Sequence, residues 1–247
     1  MIKLFKDGEA LARDAAELIA EQARLTVESC GRFSLLLAGG ETPRRCYQLL
    51  AQEPLLDSVP WHAVHFFWGD ERCVGTDDPR SNALMAQNEL LQQLPVQPEQ
   101  IHPIRCGQSP QQAADAYQAE LVKYFAGNPP RFDLALLGLG DDGHTASLLP
   151  GSAALAESGR WSAVTRRPEE DFSRVTLTAP IINQAALILF LVAGSGKAPV
   201  LGDILNGATI PHPYPAQLIC PTSGELLWFV DQDAAAMLIE RALFSAV

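Results

Sequence analysis

The residues with the clearest chemical potential lie in the stretch 132–151, which reads FDLALLGLGDDGHTASLLPG. The stretch opens with an apolar run that is long enough for one buried strand. A glycine-rich turn follows, and it carries Asp142 and His144 beside further acidic and hydroxyl side chains. Parallel α/β proteins bind ligands at the carboxyl ends of their strands, and an imidazole next to a carboxylate is suited to proton transfer. This pattern predicts a catalytic site at His144, with Asp142 as its partner.

The same stretch has two alternative interpretations. The glycine spacing from Gly138 to Gly143 fits the dinucleotide fingerprint GxGxxG after a predicted strand. Two carboxylates stand where a pyrophosphate needs bare backbone N–H groups, and Pro150 leaves little room for a helix, so this interpretation is disfavoured. In the other, His144 is structural and only holds the turn by hydrogen bonds. The neighbouring acids and hydroxyls favour a chemical role instead.

A second strand, predicted at 33–38, leads into Gly39, Gly40 and Thr42. Thr42 as N-cap and Pro43 as the first helical residue would make a strong helix start. The free N–H groups and the dipole at such a helix start favour an anion. The loop therefore predicts an anion site, although an ordinary strand–helix turn would contain the same residue types.

Charged residues follow two further predicted strands. The strand 62–68 leads to Asp70 and Arg72, where the arginine suits bidentate phosphate binding and the aspartate suits orienting it or a sugar hydroxyl. A surface ion pair is the alternative. The buried strand 187–193 ends at GSGK, which lacks the spacing and the Ser or Thr of a P-loop. Its Lys197 is interpreted as a phosphate contact, with a solvated lysine as the alternative.

Two polar residues complete the predicted binding set. Asn82 opens a helix predicted at 82–94, where it or Ser81 would cap the helix or touch a substrate. Capping is the favoured role. Arg174 begins the segment 174–178, whose alternation is typical of a strand.

The rest of the pattern alternates strands with helices. Asp7 and Gly31 fit the start and stop of a first helix, and a last strand and helix are predicted at 226–230 and 233–244. Such alternation predicts a single α/β domain over residues 1–247, with a mostly parallel, Rossmann-like sheet and helices on both faces. The polar strand ends would then meet at one sheet edge and share one cleft.

Composition narrows the class of partner. The chain has 247 residues, 47% of them hydrophobic, and a net charge of −11, which argues against nucleic acid and anionic membranes. The longest apolar run, 185–194, is too short to span a bilayer, and the first residues lack the apolar core of a signal peptide. Five cysteines without a CxxC motif predict reduced thiols. We expect a soluble cytoplasmic protein, a monomer or small homo-oligomer, whose partner is a small molecule.

Six segments in order along the chain resemble the bacterial type of the 6-phosphogluconolactonase family. They read AGGETP, WGDERCV, SN, GLGDDGHTASLLPG, RVTLT and GSGKAPVL. The DGHTAS block is the most specific of them. The family's usual SGGSTP loop is AGGETP here, and its common GHTASLFPG is GHTASLLPG, which are mild departures.

The resemblance implies hydrolysis of 6-phospho-D-glucono-1,5-lactone to 6-phosphogluconate, on a fold related to glucosamine-6-phosphate deaminase and without metal or cofactor. It implies that His144 is the general base, and that Asp142, or less favourably Asp70, orients the imidazole or a substrate hydroxyl. Ser147 as a covalent nucleophile is disfavoured because it lies in no nucleophile elbow.

The resemblance also implies how the phosphate is held. Arg72 and Lys197, with the loop 39–42, would bind it, and Arg174 is a weaker choice for the same anion or for a structural pair.

Two rival functions remain. An isomerase or deaminase of amino sugar phosphates on this fold would place a Glu five residues after the His, where this chain has Leu149. A non-catalytic sugar-phosphate sensor would keep the cationic residues, would have no use for Asp142 and His144, and would usually carry a DNA-binding segment, which the sequence does not show.

Overall fold

The computed structural model describes residues 1–107, 109–126, 128–207 and 213–238. Its strands are β1 (Ile2–Phe5), β2 (Phe33–Leu37), β3 (Val64–Trp68), β4 (Asp70–Arg72), β5 (Ile101–His102), β6 (Leu134–Gly138), β7 (Ser162–Thr165), β8 (Arg174–Leu177), β9 (Leu187–Val192) and β10 (Glu225–Asp231). Its α-helices are α1 (Gly8–Cys30), α2 (Glu41–Leu50), α3 (Leu55–Ser58), α4 (Asn82–Glu89), α5 (Pro110–Tyr124), α6 (Ala179–Ile182) and α7 (Ala198–Leu205).

Seven strands form a parallel sheet in the order β1-β10-β9-β6-β2-β3-β5. The central strands β2 and β9 are buried along their whole length, as continuous apolar runs in a two-sided parallel sheet should be. The predicted α/β class with a mostly parallel sheet is therefore confirmed. The edge strand β1 was not predicted, because its four residues show no clear period before they pair with β10.

The first helix follows its local signals. The side chain of Asp7 accepts a hydrogen bond from the Ala10 N–H at 2.8 Å, and Gly31 ends the helix in the left-handed conformation with φ 77°. The predicted start and stop of α1 are confirmed. The last helix was predicted at 233–244, but Ala234–Met237 form a 3₁₀ turn, and the rest of that prediction, from residue 239, lies outside the described residues.

A second, smaller sheet corrects the simple alternating pattern. Strands β4, β8 and β7 pair antiparallel in that order and do not join the parallel sheet. The chain changes sheets at Gly69, whose N–H donates to the Leu37 carbonyl at 3.0 Å and whose carbonyl accepts from the Leu177 N–H at 2.8 Å. The residues that follow β3 are thereby turned across the edge of the parallel sheet.

A disulfide joins Cys73 to Cys106, with 5.0 Å between the Cα atoms. This corrects the prediction that all five cysteines are free thiols; Cys30, Cys46 and Cys220 are free. The two half-cystines are 33 residues apart and meet only because β3 and β5 are neighbours in the sheet. No local motif in the sequence predicts that these two cysteines pair.

No helix in the described ranges is both long enough and apolar enough to cross a bilayer.

Two buried tyrosines satisfy the backbone where neighbouring strands end. The Tyr47 hydroxyl donates to the Ala38 carbonyl at 2.8 Å and accepts from the Ala38 N–H at 2.9 Å. The Tyr117 hydroxyl makes the same pair of bonds with Trp68, at 2.9 and 3.0 Å. Burial raises the pKa of both hydroxyls, so both stay protonated. Each side chain holds a strand end from which a polar loop departs.

Tyr47→Phe and Tyr117→Phe should each lower the free energy of unfolding by about 1–3 kcal/mol, because each leaves a buried N–H and C=O without a partner. Tyr124→Phe is the matched control, since its buried hydroxyl has no hydrogen-bond partner. Urea denaturation of the three variants measures the difference. Equal effects in all three would contradict the assigned role of the hydroxyls.

Candidate active site

The strand ends enclose a cleft of about 380 Å³. Three adjacent strands of the sheet, β9, β6 and β2, supply its central loops, and the chain after β3 supplies a further wall. The predicted residues that line it are Gly39, Gly40, Thr42, Asp70, Arg72, His144 and Lys197. The sheet therefore brings together groups from four separate segments, with the histidine loop between the two loops predicted to bind an anion.

His144 is held by Asp142, two residues earlier in the same turn. Its Nδ1 lies 2.5 Å from Asp142 Oδ1, and its side chain is 25% exposed, so the ring is supported on one side and open on the other. The Gly140 N–H donates to the His144 carbonyl at 2.8 Å and closes the turn. Asp142, and not Asp70, is thus the carboxylate in contact with the imidazole.

A second group reaches the same ring nitrogen. Arg167 Nη2 lies 3.0 Å from His144 Nδ1 and 2.8 Å from Asp142 Oδ2. A guanidinium only donates, so a bond from Arg167 to Nδ1 would require the ring proton to sit on Nε2. The carboxylate is closer and charged, which assigns the proton to Nδ1. The Nε2 lone pair is then left to accept a proton.

Asp142 is kept ionised by its neighbours. Partial burial raises the pKa of its carboxyl, but the hydrogen bond and charge of His144 and the hydrogen bond from Arg167 outweigh burial and lower the pKa to about 2. Arg167 also lies near Glu169 and Glu170, at 3.7 and 3.9 Å, so it joins a chain of alternating charges that ends at the imidazole.

The turn around the histidine depends on two glycines. A Cβ on Gly140 would lie 1.9 Å from His144 Nδ1, so only glycine lets the ring approach the backbone this closely. Gly143 has φ 75°, and a Cβ there would meet the ring of Tyr214 at 2.4 Å. The GLGDDGH spacing is therefore a packing requirement of the Asp–His pair and not a nucleotide fingerprint.

The loop after β2 ends at a helix start that faces the cleft. Helix α2 begins at Glu41, with Gly40 as N-cap at φ 107°, so Thr42 is its second residue and not its cap. The positive φ of Gly40 makes the turn that the sequence pattern assigned to the Thr-Pro pair. The first helical bond runs from the Arg44 N–H to the Gly40 carbonyl, which leaves the N–H groups of Glu41 and Thr42 available to a ligand.

Two cations complete that side of the cleft. The Arg72 Nη1 group donates to the Arg80 carbonyl at 2.7 Å, while its buried Nε has no hydrogen-bond partner. Lys197, on the wall of the cleft, forms an ion pair with the exposed Asp141. An anionic ligand would compete with Asp141 for this lysine and would complete the coordination of Arg72.

Asp70 on the cleft wall and Asn82 behind the wall form a buried pair. Asp70 Oδ1 accepts from Asn82 Nδ2 at 3.2 Å, and its Oδ2 accepts from Ser147 Oγ at 2.5 Å. Asn82 also fills the space where a Gly39 Cβ would lie, 2.1 Å from its Oδ1. Asn82 therefore supports the Gly39 backbone, and Ser147 is fully buried, which suits no nucleophile.

The cap of α4 is shared between two other residues. Ser81 Oγ accepts from the Leu84 N–H at 3.1 Å, while Glu71 accepts from the N–H groups of Asn82 and Ala83 at 2.8 and 2.7 Å. Burial raises the pKa of Glu71, although three backbone hydrogen bonds oppose the rise. Glu71 is thus a buried helix cap, which the sequence did not reveal.

Arg174 lies outside the cleft wall. It is 7% exposed, its Nε donates to Glu170 Oε2 at 2.8 Å, and its Nη1 reaches Ser147 Oγ at 3.4 Å. Of the two roles left open for Arg174, this geometry supports the structural pair. Asn82 and Asp142 likewise act on residues of the cleft without forming its wall.

Arg167 is the site residue that sequence reasoning missed. It lies in the polar segment RRPEED between β7 and β8, 25 residues from the carboxylate that it contacts. No spacing or motif marks it. Within the described residues, no cluster of three or more His, Cys, Asp or Glu side chains could hold a metal ion.

Arg167→Gln should raise the pKa of Asp142 from about 2 toward its ordinary 3.8, because a charged donor is lost. A carboxyl with a lowered pKa stabilises the fold above its ordinary pKa, and this contribution disappears as the pH falls toward the lowered value. The variant should therefore lose stability between pH 4 and neutrality relative to the parent. Carbon-13 titration of the carboxyl measures the pKa, with Arg166→Gln as the control. An unchanged pKa would show that Arg167 does not act on Asp142.

Gly140→Ala should force the imidazole away from Asp142, because the new methyl group overlaps Nδ1. We expect a loss of about 1–3 kcal/mol in unfolding free energy from the overlap, and a crystal structure in which the Nδ1 to Oδ1 distance exceeds hydrogen-bonding range. Gly159→Ala, where the nearest atom is 3.6 Å from the Cβ position, is the control. An undisturbed Asp–His pair in the Gly140 variant would contradict the packing requirement.

Known proteins of one family are similar to this chain over most of its length. The family model described as "Glucosamine-6-phosphate isomerases/6-phosphogluconolactonase" matches residues 6–228. A 6-phosphogluconolactonase of Synechocystis sp. is 42% identical over 227 residues, which cover 90% of this chain and 92% of the relative.

Solved structures superpose on nearly the whole chain. A 6-phosphogluconolactonase from Trypanosoma brucei superposes with a TM-score of 0.84 at 28% identity, covering 97% of this chain and 98% of that one. A monomeric glucosamine-6-phosphate deaminase superposes with a TM-score of 0.80 at 20% identity, covering 96% and 99%. The second likeness shows a shared fold and no more.

Proposed function

The chain belongs to the glucosamine-6-phosphate isomerase/6-phosphogluconolactonase family, and we propose that it hydrolyses 6-phospho-D-glucono-1,5-lactone to 6-phosphogluconate. One observation carries the choice of reaction. The cleft contains an imidazole with a free Nε2 lone pair together with two cations and a helix start. That arrangement matches a substrate with an activated ester at one end and a phosphate at the other.

In the proposed mechanism His144 is the general base. Its Nε2 takes a proton from a water molecule as the water oxygen bonds to the lactone carbonyl carbon. The tetrahedral intermediate then breaks its bond to the ring oxygen, and the imidazolium returns the proton to that oxygen. Water is thus divided between the new carboxyl group and the new hydroxyl group. A positioned base of this kind contributes about 10²–10⁴-fold in rate.

Asp142 and Arg167 act on that base without touching the substrate. The Asp142 carboxylate fixes the ring through Nδ1–H and stabilises the imidazolium that forms during attack. Arg167 holds Asp142 in place and in its ionised form. The base is therefore oriented by residues that do not touch the substrate.

The phosphate is held by cationic side chains and backbone N–H groups of the same cleft. Arg72, Lys197 and the N–H groups at the start of α2 offer charge and directed hydrogen bonds to its oxygens. Because the phosphate is remote from the carbonyl, its binding energy serves to orient the reacting group. No covalent nucleophile is needed, since a δ-lactone is already an activated ester.

The amino-sugar deaminase alternative requires a Glu that this chain does not have. The position five residues after His144 is Leu149, which is 3% exposed and cannot assist ring opening by proton transfer. The sensor alternative leaves the Asp142–His144 pair without a purpose. Both observations favour lactone hydrolysis.

We further propose that residues 1–247 form one domain, because both sheets contribute to the same cluster of buried side chains and to the same cleft. A cytoplasmic location and a monomeric or small homo-oligomeric state stay predictions, as does independence of any metal or cofactor.

His144→Ala should lower kcat by at least about 10²-fold with little change in KM, because the base is lost while the phosphate site is intact. The assay is alkali consumption in a pH-stat with freshly prepared lactone, corrected for spontaneous hydrolysis. His62→Ala, an exposed histidine outside the cleft, is the matched control. Parental kcat in His144→Ala would overturn the assignment of the base.

Arg72→Ala and Lys197→Ala should mainly raise KM, by roughly tenfold each, because each removes a charged contact to phosphate. Lys123→Ala on the exposed face of α5 is the control. Unchanged KM in both variants would remove the proposed phosphate site. Release of ammonia from glucosamine 6-phosphate by the parent, without lactone turnover, would favour the deaminase alternative.

A further inference from the structure

The Cys73–Cys106 disulfide lies directly behind the proposed phosphate site. Cys73 is the residue after Arg72 at the end of β4, and Cys106 follows Arg105 in the segment after β5. Nothing in the proposed hydrolysis uses this bond. It nevertheless ties down the backbone next to a residue on which phosphate binding would depend.

A second cavity gives access to the bond. This cavity also measures about 380 Å³, it opens to solvent on the far side of Arg72, and Cys106 and Arg105 lie on its wall. Arg72 is the residue that lines both this cavity and the cleft. Cys73 and Cys106 are only partly buried. A small thiol can therefore approach Cys106, and the two arginines on the wall of the same cavity favour the entry of an attacking thiolate.

Beyond the antiparallel pairing of Arg72 with Arg174, two hydrogen bonds mark the end of β4. The Cys73 N–H donates to the Ser173 carbonyl at 2.8 Å, and the Arg72 guanidinium donates to the Arg80 carbonyl at 2.7 Å. Beyond them the chain runs through the largely exposed segment 75–80. Opening the disulfide would release this segment from residues 103–107 and would loosen the position of Arg72.

We propose that Cys73–Cys106 is a redox modification site through which a dithiol reductant weakens phosphate binding in the cleft. A thiolate of the dithiol attacks the Cys106 sulfur, Cys73 leaves as a thiolate, and the second thiol of the reductant displaces Cys106. Two electrons pass to the protein, which gains two thiols after protonation, and the reductant becomes a disulfide. The effect on catalysis rests on the proposed lactonase function, whereas the effect on phosphate binding does not.

The state of the cysteines is measured first. Protein purified without reductant and unfolded in alkylating reagent should show three free thiols, at Cys30, Cys46 and Cys220, and dithiothreitol should raise the number to five. Mass spectrometry of the peptides identifies the pair. Five free thiols under non-reducing conditions, or a pair other than Cys73 with Cys106, would overturn the proposal.

Binding and turnover are then compared in the two states. Isothermal titration calorimetry with 6-phosphogluconate and with inorganic phosphate should show Kd rising about three- to tenfold on reduction, and KM for the lactone should rise similarly. We expect kcat to stay within about twofold, because the Asp142–His144 pair is not attached to the disulfide. Reoxidation with oxidised glutathione should restore the original values.

Matched variants separate this site from the other cysteines. Cys73→Ser and Cys106→Ser should bind phosphate like the reduced parent and ignore dithiothreitol, whereas a Cys30→Ser/Cys220→Ser double variant should respond like the parent. If a single variant fails to fold, the Kd of the parent measured before and after dithiothreitol treatment still tests whether reduction weakens phosphate binding.

Two results would overturn the proposal at the binding stage. One is a fall in melting temperature on reduction without any change in Kd or KM, which would mean a purely structural cross-link. The other is a change in Kd on dithiothreitol treatment of Cys73→Ser that equals the change in the parent. If neither state turned over the lactone, the proposed function would fail, while the phosphate titration would still test the redox site.

Discussion

The hydrogen bond between Asp142 and His144 Nδ1 is the interaction on which the proposed site depends. It exists because Gly140 lets the ring lie against the backbone and because Gly143 closes the turn at a positive φ. The bond orients the imidazole, assigns its proton and supplies a negative charge close to where positive charge develops. The glycine-rich sequence, which looks like a nucleotide fingerprint, is in this chain the requirement for a compact acid–base pair.

Strand order decides what faces that pair. Strand β6, which leads to the histidine, lies between β2 and β9, and their loops carry the start of α2 and Lys197. The change of sheet at Gly69 brings Arg72 across the same edge. The parallel sheet and the change of sheet together therefore place two cations and a helix start in the same cleft as the base. Separation of binding from chemistry lets a remote contact orient the reacting carbonyl.

Local signals were enough for some elements and not for others. The caps of α1 and the pairing of Asp142 with His144 follow from neighbours in sequence, so they were predictable. Arg167 and the Cys73–Cys106 bond were not, because their partners lie 25 and 33 residues away and meet only through the sheet order. The start of α2 was misplaced because a positive φ at glycine can replace a side-chain cap, and sequence alone does not distinguish the two.

The central claim is that the imidazole proton of His144 sits on Nδ1, held by Asp142, so that Nε2 is the base. Nitrogen-15 NMR of histidine-labelled protein measures this directly. The ring signals of His144 are identified among those of the five histidines by comparison with the spectrum of the His144→Ala variant. We predict the Nδ1–H tautomer for the neutral ring. A neutral ring protonated on Nε2, with Nδ1 accepting from Arg167, would contradict the account.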